Sequence, residues 1–536
     1  MDTEYLVVGA GSAGCVVAAR LAEGGASVTL LEAGPRDLLP WIHIPAGVLK
    51  LIHNPSVNWM FASEPEPGTA GRAIHWPRGR VLGGSSSING MLYVRGHAAD
   101  FDGWAQMGCR GWSYEDVLPF FRKSERYIQA SKSPGGEHRG TDGPLQVEDY
   151  RTILPLTHRF VEAAQQAGHP LRPDLNDGEQ TGVGYSQNTR LGRWRGSTAQ
   201  TFLAAARSRP NLRVETDAQA GRLLFEGLRC VGATFRQGGA MREVRASREV
   251  IVCGGAVNSP HLLHISGIGP AEHLRDIGVE VLHDLPGVGA NLQDHYVARV
   301  SHRVTGGIST NQLATGLRLM GEAVKFALTG RGALTFGVTT AQVFCSSREG
   351  LASPDLQLLF TPASYDPIRF GTLEREAGMT VAVCPVRPDS RGTIMAAGAD
   401  PFARPRIVPN YLSAPSDAQV LAAGIRMTRE IFSAPALAQH SVVETLPGPE
   451  VQSEAELLDY MRRFGNTLYH PVGTCRMGEG PGAVVDSRLR VHGVAGLRVI
   501  DASIMPALTS GNTNAPTIMI GEKASDMIRE DARAGR

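Results

Sequence analysis

Four apolar residues in a row, Tyr5-Leu6-Val7-Val8, form the first readable segment of the chain and stop at a glycine. An apolar run without alternation is the mark of a strand buried on both faces in a parallel sheet. Cys15-Val16-Val17-Ala18-Ala19-Arg20-Leu21-Ala22 then reads as a helix, and Val28-Thr29-Leu30-Leu31 as a second buried strand. Together they predict a β-α-β unit. Comparable runs at Val250-Ile251-Val252-Cys253 and Leu497-Arg498-Val499-Ile500 predict two more strands. The middle of the chain has a different rhythm. Runs such as Leu356-Gln357-Leu358-Leu359-Phe360 and Met379-Thr380-Val381-Ala382-Val383, separated by Pro- and Gly-containing turns, predict an antiparallel sheet backed by helices. Trp41 to Phe61 carries Pro45, Pro55 and several aromatics without a period and predicts a covering loop; Gln129 to Asp142 is the most loop-like stretch. No internal repeat or low-complexity tract interrupts the pattern.

Between the first strand and its helix stands Gly9-Ala10-Gly11-Ser12-Ala13-Gly14, the GxGxxG spacing that lets backbone amides at a helix N-terminus meet a pyrophosphate. Glu32 ends the second strand, eighteen residues beyond Gly14, where a carboxylate can accept both hydroxyls of an adenosine ribose. A glycine-rich turn alone also arises for packing reasons, but strand, helix and acidic residue together point to a dinucleotide. NAD and FAD use the same cradle, so the unit leaves both open.

Composition removes other classes. Lys plus Arg (53) balances Asp plus Glu (52), and no basic block or interleaved aromatic run marks a nucleic-acid binder. The seven cysteines, Cys15, Cys109, Cys230, Cys253, Cys345, Cys384 and Cys475, form no CxxC or Cys/His cluster, which argues against a disulfide framework and a zinc site and fits a reducing compartment. No secretory h-region and no apolar stretch of ~18 residues is present. The expectation is a soluble cytoplasmic protein without a transmembrane segment, with room for loose attachment to the inner face of a membrane, and a monomer or homodimer.

Three further segments narrow the cofactor. They are His75-Trp76-Pro77-Arg78-Gly79-Arg80-Val81-Leu82-Gly83-Gly84-Ser85-Ser86-Ser87-Ile88-Asn89-Gly90-Met91, then Gly254-Gly255-Ala256-Val257-Asn258-Ser259-Pro260 through Ser266-Gly267-Ile268-Gly269-Pro270, and Asn512-Thr513-Asn514-Ala515-Pro516-Thr517. In this order they resemble the glucose-methanol-choline oxidoreductase family, choline dehydrogenase-like in wording, from about residue 4 to about residue 528. The resemblance implies FAD and oxidation of an alcohol. It also implies that Gly9, Gly11, Ser12, Ala13, Gly14, Glu32, Ala33 and Ala220 surround the adenosine diphosphate. Arg80, Val81, Gly83, Gly84, Ser85, Asn89, Gly90, Met91 and Leu92 would contact pyrophosphate and isoalloxazine. Asp501 and Ala502 would contact the ribityl chain or pyrophosphate, and Asn512, Thr513 and Thr517 would complete the cradle. Some relatives attach FAD through a histidine in the first segment; Ile88 stands at that position here, so FAD is expected to be noncovalent.

Removing hydride from an alcohol carbon requires the hydroxyl proton to leave, so the site needs a base and a group that steadies the oxygen. By resemblance the base is His470, in Leu468-Tyr469-His470-Pro471-Val472-Gly473-Thr474, and the oxygen-holding amide is Asn514. Asp294 and His295 tempt as an acid-base pair, but a role in holding their loop is the simpler reading. His75, His97, His261, His264 and His492 are read as structural. Pro516 is expected to be the first residue of a helix whose positive end faces the flavin.

A cradle at the start and a catalytic pair at the end require an FAD-binding domain assembled from separated segments. The expected fold class is α/β with an α+β second domain: a Rossmann-type FAD-binding domain over 1–150, 205–297 and 465–536, and a substrate domain on an antiparallel sheet backed by helices over 151–204 and 298–464. The expected reaction is oxidation of an alcohol to aldehyde or ketone with hydride passing to flavin N5 and electrons onward to O2 or a quinone-type acceptor. A flavin-dependent hydroxynitrile-lyase-type enzyme and a flavin-free NAD(P)-dependent dehydrogenase are the alternatives.

Overall fold

The computed structural model describes all residues except 1, 130, 131, 134, 135, 368–370 and 536, so part of the Gln129–Asp142 loop lies outside the described residues. β1 (Asp2–Val8), α1 (Ser12–Glu23) and β2 (Val28–Leu31) form the expected β-α-β unit. β1 pairs in parallel with β2 through Tyr5↔Val28 to Val8↔Leu31, and on its other side with the strand Ala240–Val252 through Leu6↔Val250 and Val8↔Val252. Leu212–Glu215 extends the sheet beyond β2, and Leu497–Val499 extends it beyond Val250–Val252. The apolar runs are continuous because these strands are covered on both faces: Leu6, Val7, Leu30, Val250 and Ile251 are fully buried. All five parallel strands end on one edge, and the turns after Val8, Leu31, Val252 and Val499 converge there. A crevice outside the carboxyl ends of parallel strands is where such sheets bind ligands.

The strand Ala240–Val252 serves two structures. Its last residues lie in the parallel layer, while Ala240–Arg245 pairs antiparallel with Arg229–Gln237, which pairs in turn with Gln219–Glu226. This places Ala218 and Ala220 beside the turn that follows β2, where the Ala218 amide donates to the Glu32 carbonyl at 2.8 Å.

The second large sheet is antiparallel, in the order Ser441–Leu446, Tyr296–Val304, Gly378–Pro385, Leu356–Thr361, Ala341–Cys345, Gly182–Tyr185. Leu358↔Val383 and Phe360↔Val381 set the central register. One face packs on the helices Pro155–Gln166 and Pro415–Ser433. Phe160 stacks on Phe360 at 4.2 Å, and a Cβ on Gly424 would lie 2.4 Å from Val383 Cγ1, so helix and sheet meet backbone to side chain. The other face carries Leu359, which clusters with Leu92, Val297, Cys384 and Val386 toward the crevice.

The C-terminal helix Asn514–Arg533 lies against α1. Gly521 permits the crossing, since a Cβ there would already touch Ala13 O and Val16 Cβ at 3.1 Å. Arg20 of α1 and Lys123 both pair with the buried Glu522 of the C-terminal helix. This helix starts two residues earlier than expected, at Asn514, which makes Pro516 its third residue; within the first turn a missing N–H still costs no intrahelical bond. Trp41–Phe61 is a cover built from short helical turns, Pro40–His43 and Val48–Leu51. Among the described residues no helix is long and apolar enough to cross a membrane.

Candidate active site

The glycines of the first turn divide the labour. Gly9 has φ +104°, and a Cβ there would lie 2.5 Å from Cys253 O; a Cβ on Gly14 would lie 1.9 Å from Gly9 O. Both are glycine so that strand, turn and helix can close up. Gly11 has no atom within 4 Å in the Cβ direction, which leaves open space at the N-terminus of α1. Over that space folds the segment after Arg80: Gly84, at φ +52°, would bring a Cβ within 2.7 Å of Gly11 Cα.

A cavity of about 330 Å³ runs from this cradle in both directions. At one end lie Glu32, Ala33 and Ala220, in the middle Gly9, Gly11, Ser12, Ala13, Gly84, Ser85, Asp501, Ala502, Thr513 and Thr517, and at the other Asn89, Gly90, Met91, Leu92, His470 and Asn512. Four expected contact residues stand behind the wall. Gly14 packs as above; the Arg80 carbonyl backs Gly34 while its guanidinium covers Trp59 at 5.3 Å; Val81 is fully buried; and the Gly83 amide donates to Ala10 O at 2.8 Å. Glu32 accepts from the amides of Ala10 (3.0 Å) and Gly34 (2.8 Å), and burial raises its pKa to about 7. Asp501 accepts from the Gly255 and Ser503 amides, both at 2.8 Å, and from Ser259 Oγ, so its carboxylate organises three turns of the crevice.

The far end is organised around His470. Tyr469 has φ +66°, unusual for a bulky residue, and is held by Thr467 Oγ1 accepting from its amide at 2.6 Å. The next residue is thereby turned into the cavity. The His470 amide donates to Asp294 Oδ1 at 2.8 Å, and the same buried carboxylate accepts from Tyr411 and from Thr467 Oγ1. Asp294 therefore fixes the histidine-bearing loop.

The imidazole itself is set by a chain of bonds. The Val386 carbonyl, which can only accept, lies 3.2 Å from His295 Nε2, so Nε2 carries the proton. Burial lowers the His295 pKa to about 4, so its Nδ1 is an unprotonated acceptor. That Nδ1 is 2.9 Å from His470 Nδ1, which must donate. His470 Nε2 is left as a lone pair, at 3.2 Å from Asn512 Nδ2. Burial first, then the neighbouring His295 ring and the Arg78 charge, hold the His470 pKa well below the usual imidazole range.

The two asparagines go to different places. Asn512 meets His470, and its Oδ1 has no partner; Asn514 accepts from Ser12 Oγ at 2.8 Å and ties the starts of α1 and the C-terminal helix together. The asparagine beside His470 is thus Asn512, not the Asn514 that the family resemblance implies. His295 and Arg78, whose guanidinium donates to the Tyr469 carbonyl at 2.5 Å, carried no signal beyond their motifs. Of the remaining histidines, His97 caps a helix by accepting from the Ala99 amide, His264 and His492 bond the Val288 and Gly478 carbonyls, His75 stacks on His53, and His261 reaches the cavity wall with Nε2 unpartnered.

Two family models, both described as GMC oxidoreductase, match residues 3–297 and 388–521. The chain belongs to the GMC oxidoreductases. Mitochondrial choline dehydrogenase of Homo sapiens is 44% identical over 98% of this chain and 90% of its own length. "Alcohol dehydrogenase [acceptor]" of Pseudomonas putida is 42% identical over 98% and 95%, and oxygen-dependent choline dehydrogenase of Brucella suis is 42% identical over 98% and 96%. Pyridoxine 4-oxidase from Mesorbium loti superposes with a TM-score of 0.88 at 31% identity, covering 98% of this chain and 99% of that one. Formate oxidase from Aspergillus oryzae gives 0.93 at 27% identity, covering 99% of each. As a GMC oxidoreductase the chain has an FAD-dependent oxidoreductase fold, with a Rossmann-type layer and an antiparallel layer, and acts on CH–OH donors.

The residues of this GMC oxidoreductase fit FAD. The space over Gly11 at a helix N-terminus suits a pyrophosphate, and the Glu32 oxygens retain lone pairs for a ribose. The unpartnered Asn512 Oδ1 and His261 Nε2 at opposite ends mark where polar groups of a long ligand would be met.

Proposed function

We propose that this protein oxidises an uncharged alcohol to the aldehyde or ketone, with His470 as the base and Asn512 as the donor that holds the alcohol oxygen. The carrying observation is the bond chain Val386–His295–His470, which leaves His470 Nε2 unprotonated and facing the cavity beside Asn512. Bound FAD supplies the acceptor for the hydride.

The alcohol proton goes to His470 Nε2. The imidazolium so formed keeps its Nδ1–H on His295, while the negative charge growing on the alcohol oxygen meets the Asn512 amide and the nearby Arg78 guanidinium. A buried imidazole of low basicity is ready at neutral pH without prior deprotonation. The Trp41–Phe61 cover, through Val48, Leu49, Ile52 and Trp59, and the sheet residue Leu359 keep water from this end.

The charge around the base supports an uncharged substrate. The carboxylates lining the cavity are Glu32 and Asp501, both engaged by backbone amides, and the cation beside His470 is Arg78. Leu92, Val338, Leu359 and Leu468 form the rest of that end. A quaternary ammonium finds a like charge there and no free carboxylate. Tyr365, Tyr469 and Trp59 could offer ring faces, but Arg80 already lies over Trp59. The relatives named choline dehydrogenase thus share the family with this chain rather than, on this reading, the substrate. Electrons leave to molecular oxygen or a quinone-type acceptor.

The test is anaerobic loss of flavin colour on adding choline or neutral alcohols of graded length. Bleaching by neutral alcohols at concentrations where choline has no effect is expected, and choline as the faster reductant removes the substrate reading. His470→Ala should bleach at least ~10²-fold more slowly with FAD still bound; an unchanged rate removes the base.

A further inference from the structure

A helix on a protein surface normally turns its apolar stripe inward. The helix Gly316–Thr329 does the reverse. Of its residues only Phe326 is buried, while Leu317 is 84% exposed, Leu328 76%, Met320 65% and Val324 58%. At 100° per residue these four share one stripe, ~16 Å long, opposite Phe326. Trp194 sets its ring edge-on to Phe326 at 5.5 Å and so supports the helix from the side opposite the stripe.

The charges beside the stripe are mostly positive. Between Ile308 and Gly332 the basic residues are Arg318, Lys325 and Arg331, while Arg193, next to Trp194, donates to the Phe326 and Ala327 carbonyls. The acidic residue of that stretch, Glu322, accepts from the Ala333 amide and lies 3.8 Å from Lys325 Nζ, which leaves the stretch with a net positive charge. We propose that this face seats the protein on an anionic lipid bilayer: leucines, methionine and valine entering the headgroup boundary, and arginine and lysine on the lipid phosphates. A second copy fits less well, because a twofold contact would set these cations against themselves. From this helix the chain runs through Ala333–Thr335 to Val338 and Thr339 in the cavity wall. The inference stands apart from the catalytic reading and holds whatever alcohol is oxidised.

The experiment is cosedimentation of the FAD-loaded protein with phosphatidylcholine vesicles and with vesicles containing about one-third phosphatidylglycerol. The protein should sediment with the anionic vesicles, less so at high salt. Leu317→Glu/Leu328→Glu should reduce binding at least ~10-fold. Arg318→Glu/Lys325→Glu should abolish the preference for anionic over neutral vesicles. Flavin content and turnover with a soluble dye should be unchanged in both variants. Failure of the unaltered protein to bind either vesicle overturns the proposal, as does binding that the leucine substitutions leave intact. A concentration-dependent dimer that those substitutions dissociate, without vesicle binding, assigns the face to a second copy instead.

Discussion

His295 and His470 face each other Nδ1 to Nδ1 at 2.9 Å, and the direction of the proton between them is decided from behind, by the carbonyl of Val386. Neither ring chooses its tautomer alone. Replacing His295 by Leu takes away the acceptor and frees His470 to place its proton on Nε2, where it blocks the base. Turnover is expected to fall ~10- to 10²-fold while KM and FAD content hold. His295→Gln, which retains an acceptor, should recover part of the loss. Equal rates for Leu and Gln variants would show that the position serves packing only.

The separation of Asn512 from Asn514 gives a paired prediction. Asn512→Ala should lower turnover ~10²-fold with FAD retained, the usual scale for removing one donor to a developing oxyanion. Asn514→Ala removes the acceptor for Ser12 Oγ between two helix starts. It should weaken FAD retention and thermal stability and leave the rate per bound FAD close to that of the unaltered protein. Spectra and single-turnover rates on the two variants distinguish the roles, and interchanged effects would return Asn514 to the reaction.

Ile88 is buried among Ile42, Leu51, Val57 and Val81 and offers no nucleophile to a flavin ring. All yellow colour should therefore leave the polypeptide on denaturation and pass an ultrafiltration membrane. Colour retained on the denatured chain would require another attachment point.

Acid should act on the fold through the same histidine. Its pKa is about 4 in the folded chain and ~6.5 when unfolded, so between these values the unfolded chain binds more protons and stability is lost as pH falls. Buried His261, also near 4, adds to this slope, whereas the raised Glu32 opposes it. In denaturant titrations between pH 4 and 6.5, His295→Gln should show a shallower dependence than the unaltered protein, by ~1 proton. Identical slopes would mean that the residue is protonated in the fold.

The parallel layer was readable because its strands are covered on both faces and their apolar runs have no interruptions; β2 falls on Val28–Leu31 as the pattern predicts. The antiparallel strands at Leu356–Thr361 and Gly378–Pro385 were visible for a related reason. Gln357 is buried and donates to Gln342 Oε1, because the second face of this sheet is also covered. His470 was found through its motif. Its partner was not, since two asparagines two residues apart at a helix start point to opposite sides, and sequence spacing carries no such direction. His295 was visible as a residue and silent as a relay, because the Val386 carbonyl that orients it lies ninety-one residues away.

The pairing of Arg20 with Glu522 joins residues 502 positions apart. A ribosome making this chain therefore exports α1 long before its neighbour exists, and the apolar flank that Gly521 will cover waits in water or against a chaperone. The mononucleotide half can collapse early, yet the cofactor's resting place closes only once the helix Asn514–Arg533 has been made. Lesions in the last helix should thus appear in cells first as lost protein, degraded before it ever turns yellow, rather than as a slow enzyme.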